Sequence, residues 1–149
     1  MNATLRRTTI AALSTLAALV PASAYAQEKP YTEGTVWSVS MIRVKPGMFD
    51  VYMNDLLPMR KKMSAEAMKQ GLLVSSHILT GTASGRDDFD FLILEEYKNW
   101  AAFDGMSSKY EAIMRSVIGP ESKQVEVMTK RTEVREIVGE KVMQELVLR

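Results

Sequence analysis

The order in which strand-like and helix-like segments follow one another is the feature of this sequence that most limits its fold. Alternating apolar and polar residues predict strands over residues 35–44, 73–80, 89–97 and 141–149. Apolar residues at helical spacing predict helices over 48–69, from 100 onward, and over 121–137. Pro58 is expected to kink or split the first helix, and Gly105 is expected to interrupt the second. Gly139 is expected to end the last one. The predicted order is therefore strand, helix, strand, strand, doubled helix, strand.

This order is typical of the split βαβ, or ferredoxin-like, arrangement. It predicts an α+β domain with a four-stranded antiparallel sheet, helices on one sheet face, and an extra C-terminal helix before the last strand. The first strand places Trp37, Val39 and Met41 on one side and a mixed set that includes Ser38 and Ser40 on the other. An apolar sheet face without helices indicates a partner interface or a ligand site. Two such faces closing on each other predict a homodimer.

The N-terminus has the three parts of a secretory signal peptide. Arg6 and Arg7 are followed by an apolar stretch over 10–20 and by small residues that end at Ala26. The stretch is about eleven residues, whereas a membrane span needs roughly 20. We therefore expect residues 1–26 to be removed and the protein to be periplasmic or secreted, by either the general secretory or the twin-arginine route. Residues 27–34 are interpreted as a polar tail and 35–149 as a single domain.

The net charge and the numbers of cysteine, methionine and histidine residues exclude several classes of function. Cleavage leaves 123 of the 149 residues and takes Arg6 and Arg7 away, so 17 basic residues face 18 acidic ones and the formal charge changes from +1 to −1. A near-neutral domain has no electrostatic footprint for nucleic acid, and no membrane span is expected after cleavage. The absence of cysteine excludes thiol catalysis and thiolate metal sites. Eleven methionines and a single histidine indicate an adaptable core or interface rather than a metal site.

The run EEYKNWAAF at residues 95–103, with VWSV at 36–39 and VKPG at 44–47, resembles the dimeric α/β-barrel superfamily. That group includes antibiotic-biosynthesis-type monooxygenases, stress-responsive barrel proteins and several haem-handling branches. The resemblance covers about residues 35–110 and implies a homodimeric barrel. In the cofactor-free monooxygenases it implies Asn and Trp side chains around an aromatic substrate, here Asn99 and Trp100. The tail over 120–149 departs from the shortest members, so the branch stays open.

Four residues are candidates for catalysis. His77 could act as a general base or an axial haem ligand, or it could be an ordinary strand histidine. Asn99 and Trp100 could stabilise a developing negative charge on a substrate, or they could serve as a helix cap and a core anchor. Glu95 shares a strand face with Phe91 and could act as a base, unless its charge is solvated at the strand end.

Five residues are candidate ligand contacts. Trp37, Met41 and Phe91 are predicted to line a pocket together with Tyr97. Arg43 could pair with a carboxylate of the third strand, where Asp90, Glu95 and Glu96 cluster, or bind an anionic ligand.

The function predicted from these observations is an exported protein that binds a small hydrophobic or aromatic molecule, with or without cofactor-free monooxygenase-like activity. One alternative is a non-enzymatic structural or interaction module whose barrel interior is packed. Another is a haem-binding protein that uses His77. Apart from haem in that alternative, no cofactor is predicted.

Overall fold

The computed structural model describes residues 28–85 and 87–149. The predicted signal peptide lies outside the described residues, so export stays a prediction. The strands are β1 (Tyr31–Val44), β2 (Ser75–Thr80), β3 (Phe91–Tyr97) and β4 (Arg135–Leu148). The helices are α1 (Phe49–Val51), α2 (Leu57–Lys69), α3 (Met106–Val117) and α4 (Glu121–Val134), with a π-helical segment over Tyr52–Leu56 and a 3₁₀ helix over Trp100–Phe103.

The four strands form one antiparallel sheet in the order β2-β3-β1-β4. β1 and β2 are both antiparallel to β3, so the chain crosses over from β1 to β2 through α1 and α2. These connections and this strand order are those of the ferredoxin-like fold. The predicted fold class is confirmed, including the extra helix α4 between α3 and the last strand.

β4 is longer than the sequence predicts, and α4 is shorter. Residues 135–137, predicted to be helical, pair instead with the end of β1 in the register Val44↔Arg135 and Ile42↔Ile137. The pairing overrides the helical pattern because β1 offers an edge whose backbone groups need partners. Gly139 is not a helix stop but lies inside β4 opposite Met41. A Cβ at Gly139 would stand 3.1 Å from the Met41 sulfur, so the close strand approach favours glycine.

β1 is also longer than predicted. Residues 31–34, which the sequence assigns to the polar tail, belong to β1 and pair with the end of β4 from Tyr31↔Leu148 onward. The β1–β3 pairing begins only at Val36. The first part of β1 therefore pairs with β4 alone and extends the sheet as a two-stranded ribbon.

The helical connections break where the sequence has its helix-unfavourable residues. Pro58 lacks a backbone N–H, and directly before it the chain forms the π-helical segment, in which the Leu57 N–H bonds the Tyr52 carbonyl. Gly105, in the left-handed region with φ 64°, separates the 3₁₀ helix from α3. Asn99 precedes the 3₁₀ helix, but its side chain makes no capping hydrogen bond. The two predicted interruptions are confirmed, whereas the side-chain cap is not formed.

The core consists of two clusters between the sheet and the helices. One joins Ile42, Phe91 and Ile93 to Tyr52 and Leu56, with Val134 of α4. The other joins Val36 and Tyr97 to Ala67, Leu73 and Ile113. Since α2, α3 and α4 all contribute to this side, the helices cover one face of the sheet. The serines at 38 and 40 lie on β1 between Val36 of one cluster and Ile42 of the other.

The opposite sheet face carries apolar side chains with no described helix over them. Trp37 stacks on His77 with 6.3 Å between ring centroids. Leu79 and Met143, on the two edge strands, are each 53% exposed. The sequence prediction that one sheet face stays uncovered and apolar is confirmed for the described residues.

Candidate functional site

A cavity of about 290 Å³ lies between the sheet and the helices. Ser38 and Ser40 of β1 and Glu95 of β3 line it from the sheet. Four methionines line it from the helices: Met59, Met63, Met114 and Met128. The cavity exists because small polar residues stand where β1 would otherwise supply the large apolar side chains that fill a core.

An ion pair spans the cavity from the helix layer to the sheet. Arg60 of α2 donates from Nη2 to Glu95 Oε1 at 2.7 Å, and both side chains are about four-fifths buried. Tyr97 Oη donates to Glu95 Oε2 at 3.3 Å and lies 3.5 Å from Tyr110 Oη. Burial raises the pKa of both phenols, for Tyr97 strongly and with a contribution from its Tyr110 partner. Both tyrosines therefore stay protonated and act as donors.

Two donors at this cavity are buried without a partner. Tyr52 Oη and Arg60 Nε have no hydrogen-bond partner among residues 28–85 and 87–149. Tyr52 is 1% exposed and lies in the π-helical segment. An unpaired buried polar atom costs about 1–3 kcal/mol. Two such atoms on one cavity wall suggest a place where another molecule supplies the acceptors.

Two more arginines face the same space from the α4–β4 junction. Arg135, the first residue of β4, is 8% exposed, and Arg131 lies one helical turn before it. Burial first, then the neighbouring charges of Arg135 and Arg60, lower the pKa of Arg131 to about 10. Arg131 is therefore still charged at neutral pH, but in a poorly solvated and locally positive environment.

The cavity adjoins an outer depression at this junction. Both spaces are lined by Met128, Arg131, Arg135 and Ile137. The two arginines thus stand between the interior and the surface, and an entering molecule would meet them.

The predicted catalytic residues are not brought together. Glu95 lies in the cavity, but His77, Asn99 and Trp100 do not line it. His77 is exposed on the uncovered sheet face, against Trp37. Trp100 is half exposed and donates from its indole nitrogen to Gln144 at 2.9 Å. The catalytic roles of these three residues and the haem-binding role of His77 stay predictions, without support from the cavity.

The predicted ligand contacts divide between the two sheet faces. Trp37 and Met41 face the uncovered side, because they alternate with the helix-facing Val36 and Ile42, whereas Phe91 is 1% exposed in the core. These three residues therefore do not line one pocket.

Tyr97 and Arg43 likewise make contacts within the protein. Tyr97 is buried next to Glu95. Arg43 donates to the Asp88 carbonyl at 2.9 Å and lies 3.6 Å from Glu136 of β4, so its carboxylate partner is not one of the predicted third-strand residues.

Sequence reasoning missed the arginines and Tyr52. Their signal in the sequence was indirect: the first strand carries Ser38 and Ser40 on its core-facing side, and polar residues there require partners. Arg60, Arg131 and Arg135 look like ordinary surface charges of amphipathic helices until the packing of α2, α4 and β4 is known.

Among residues 28–85 and 87–149, no group of three or more His, Asp or Glu side chains is arranged to hold a metal ion. Over the same ranges, no helix combines the length and the apolar character that crossing a membrane requires.

These features define a ferredoxin-like domain with an arginine-lined cavity under its helices. No family model matches the chain, and no curated protein matches it in sequence. Among solved structures it is similar to HapK from Hahella chejuensis, with 12% identity, coverage of 74% of this chain and 91% of that one, and a TM-score of 0.44.

Two further structures are similar at the same level. A dimeric protein of unknown function and ferredoxin-like fold from Bacteroides fragilis has 9% identity, coverage of 77% and 98%, and a TM-score of 0.45. A dimeric ferredoxin-like protein from an uncultured marine organism has 13% identity, coverage of 79% and 98%, and a TM-score of 0.47. At these TM-scores the similarities carry no argument about function, and the fold is assigned from the strand order of this chain.

Proposed function

We propose that this chain is a small-molecule-binding protein whose ligand occupies the cavity between the sheet and the helices. The observation that carries the proposal is a 290 Å³ space lined by Tyr52 and Arg60, whose Oη and Nε atoms are buried without a partner among the described residues. The volume corresponds to roughly ten water-sized groups, at about 30 Å³ each. The ligand is therefore compact. A purely structural module would bear the cost of the unpaired donors without any gain in binding.

Binding is tested by NMR of the methionine methyl groups during titration with compact aromatic molecules. The signals of Met59, Met63 and Met114 are expected to shift because these side chains line the cavity. Met48 and Met68 are exposed elsewhere and provide internal references that stay unchanged. Shifts confined to the references, or no shift with any molecule of a broad panel, would contradict the proposal.

A pair of variants separates cavity binding from surface binding. Ser40→Phe is expected to fill the cavity and abolish the shifts, because Ser40 lies on its floor. Ser116→Phe makes the same change at an exposed position of α3 and is expected to bind like the wild type. Equal binding by the two variants would locate the ligand elsewhere.

A more specific possibility within this proposal is that the protein converts the bound molecule in a monooxygenase-like reaction. Of the four residues predicted to be catalytic, Glu95 is the one on the cavity wall, paired with Arg60. Conversion of a bound aromatic molecule, lost in Glu95→Gln with binding retained, would support turnover. An unchanged ligand after prolonged incubation in air would leave a binding protein.

We further propose that two copies pair through their uncovered sheet faces. The apolar residues Trp37, Val39 and Met41 support this, because a face of this kind is self-complementary under a two-fold axis. Leu79→Arg on this face is expected to shift sedimentation at micromolar concentration from dimer to monomer. Val125→Arg, at a similarly exposed apolar residue of α4, is the control and should leave the dimer intact. A wild-type monomer would overturn the pairing.

A further inference from the structure

We propose that the ligand is a compact aromatic carboxylate whose carboxylate group is held at the end of the cavity formed by Tyr52, Arg60, Arg131 and Arg135. This inference rests on the proposed function and adds the chemical class of the ligand and its orientation.

Two donors of the cavity residues lack a hydrogen-bond acceptor among the described residues. Arg60 uses Nη2 to bind Glu95, which leaves its buried Nε–H without an acceptor. The Tyr52 hydroxyl is buried on the same wall. A carboxylate is an acceptor with two oxygens and no proton to donate. A carboxylate that reaches either group can satisfy it without disturbing the Arg60–Glu95 pair.

Arginines outnumber carboxylates among the residues that line the cavity. Arg60, Arg131 and Arg135 line the cavity against two carboxylates, Glu95 and Glu140. Glu95 is engaged by Arg60, and the exposed Glu140 accepts from Ser40. Within the part of the chain that the structure describes, neither Arg131 nor Arg135 has a carboxylate within 4.0 Å; Arg131 donates to the Met128 sulfur at 3.5 Å. A buried charge at Arg135 and a partly buried one at Arg131, both without a counter-ion among the described residues, favour an anionic ligand.

The shape of the remaining space favours an aromatic body on that ligand. The apolar lining of the cavity includes Met63, Met114 and Ile93. Methionine sulfur packs favourably against aromatic rings. The volume limits the body to one or two fused rings. Arg131 and Arg135 stand at the junction with the outer depression, so the carboxylate is expected to lie toward the entrance and the ring inward.

The test compares 1-naphthoate with its neutral analogue 1-naphthamide by calorimetry and by the methionine NMR shifts. Wild-type protein is expected to bind the carboxylate at least about tenfold more tightly. Arg131→Met is expected to lower naphthoate affinity about tenfold and to leave naphthamide affinity unchanged. Arg115→Met, at an exposed arginine of α3 that does not line the cavity, is the matched control and should bind both molecules like the wild type.

Tyr52→Phe separates a binding role from a structural one. Removing an unpartnered hydroxyl is expected to keep or raise the melting temperature of the free protein while naphthoate affinity falls several-fold. A lower melting temperature with unchanged affinity would show that the hydroxyl serves folding alone and would overturn its assignment. If Arg131→Met does not fold, Arg131→Lys replaces it, because lysine keeps the charge but lacks the planar guanidinium. This variant is expected to lose less naphthoate affinity than Arg131→Met and to keep its naphthamide affinity.

The outcomes distinguish this inference from the proposed function. Equal binding of naphthoate and naphthamide in the cavity would overturn the carboxylate assignment and leave the proposed function intact. Inorganic phosphate that competes with naphthoate at equal affinity would overturn the aromatic part of the assignment. If no small molecule moves the cavity methionines, both proposals fail.

Discussion

Replacing Phe91 by alanine is expected to lower the free energy of unfolding by about 3–5 kcal/mol, the usual cost of removing a buried aromatic side chain. Phe91 is 1% exposed and lies against Tyr52 and Phe49, with ring centroids 5.0 and 6.0 Å away. It also sits opposite Ile42 in the β1–β3 register. The loss would appear as a lower midpoint in urea unfolding, measured at fixed protein concentration because any pairing of copies stabilises the folded state.

Phe49→Ala is the control for this prediction. Phe49 stacks on the same ring but is 52% exposed, so its removal opens little cavity and is expected to cost about 1 kcal/mol. Similar losses for the two variants would mean that Phe91 is not the buried member of the stack. A role for Phe91 in ligand contact predicts instead a loss of affinity with little loss of stability.

Glu95→Ala is expected to lower the free energy of unfolding by about 2 kcal/mol. The change leaves Arg60 largely buried with no carboxylate, at a position where its Nε already lacks a partner. Breaking a fully buried pair costs about 3–5 kcal/mol, and we reduce that figure because about one-fifth of each side chain is in contact with solvent. Urea unfolding measures the loss.

The double variant Arg60→Met/Glu95→Ala tests the cause of that loss. With the stranded charge also removed, stability is expected to recover to within about 1 kcal/mol of the wild type. The exposed pair Lys123–Glu126, at 2.8 Å, is the control, and Glu126→Gln should produce no measurable change in unfolding. A double variant as unstable as the sum of its two single variants would show that the ion pair is not the coupled unit.

The difference between these two ion pairs explains why the sequence could not identify the site. Arg60 and Lys123 both belong to polar, charged helices, and nothing local distinguishes them. Glu95 was identified, because its face of β3 is set by alternation from Phe91. Its partner was not, since the contact depends on how α2 lies across the sheet.

The helix–strand boundary at residue 135 is a second feature that the sequence could not identify. The pattern over 121–137 favours a helix throughout, and the local sequence gives no reason to stop at Val134. Pairing with Val44 and Ile42 turns Arg135 into the first residue of β4. That turn directs Arg131 and Arg135 toward the same cavity.

The sequence by itself determined the ferredoxin-like order of elements, the uncovered apolar face and the breaks at Pro58 and Gly105, because periodicity and backbone-restricted residues act locally. It also placed Ser38 and Ser40 together on one face of the first strand. The tertiary structure alone decided that this polar interruption becomes a cavity, and that Tyr52, Arg60, Arg131 and Arg135 surround it. Those residues meet only after the helices have packed on the sheet, and no local pattern encodes contacts between elements so far apart in the chain.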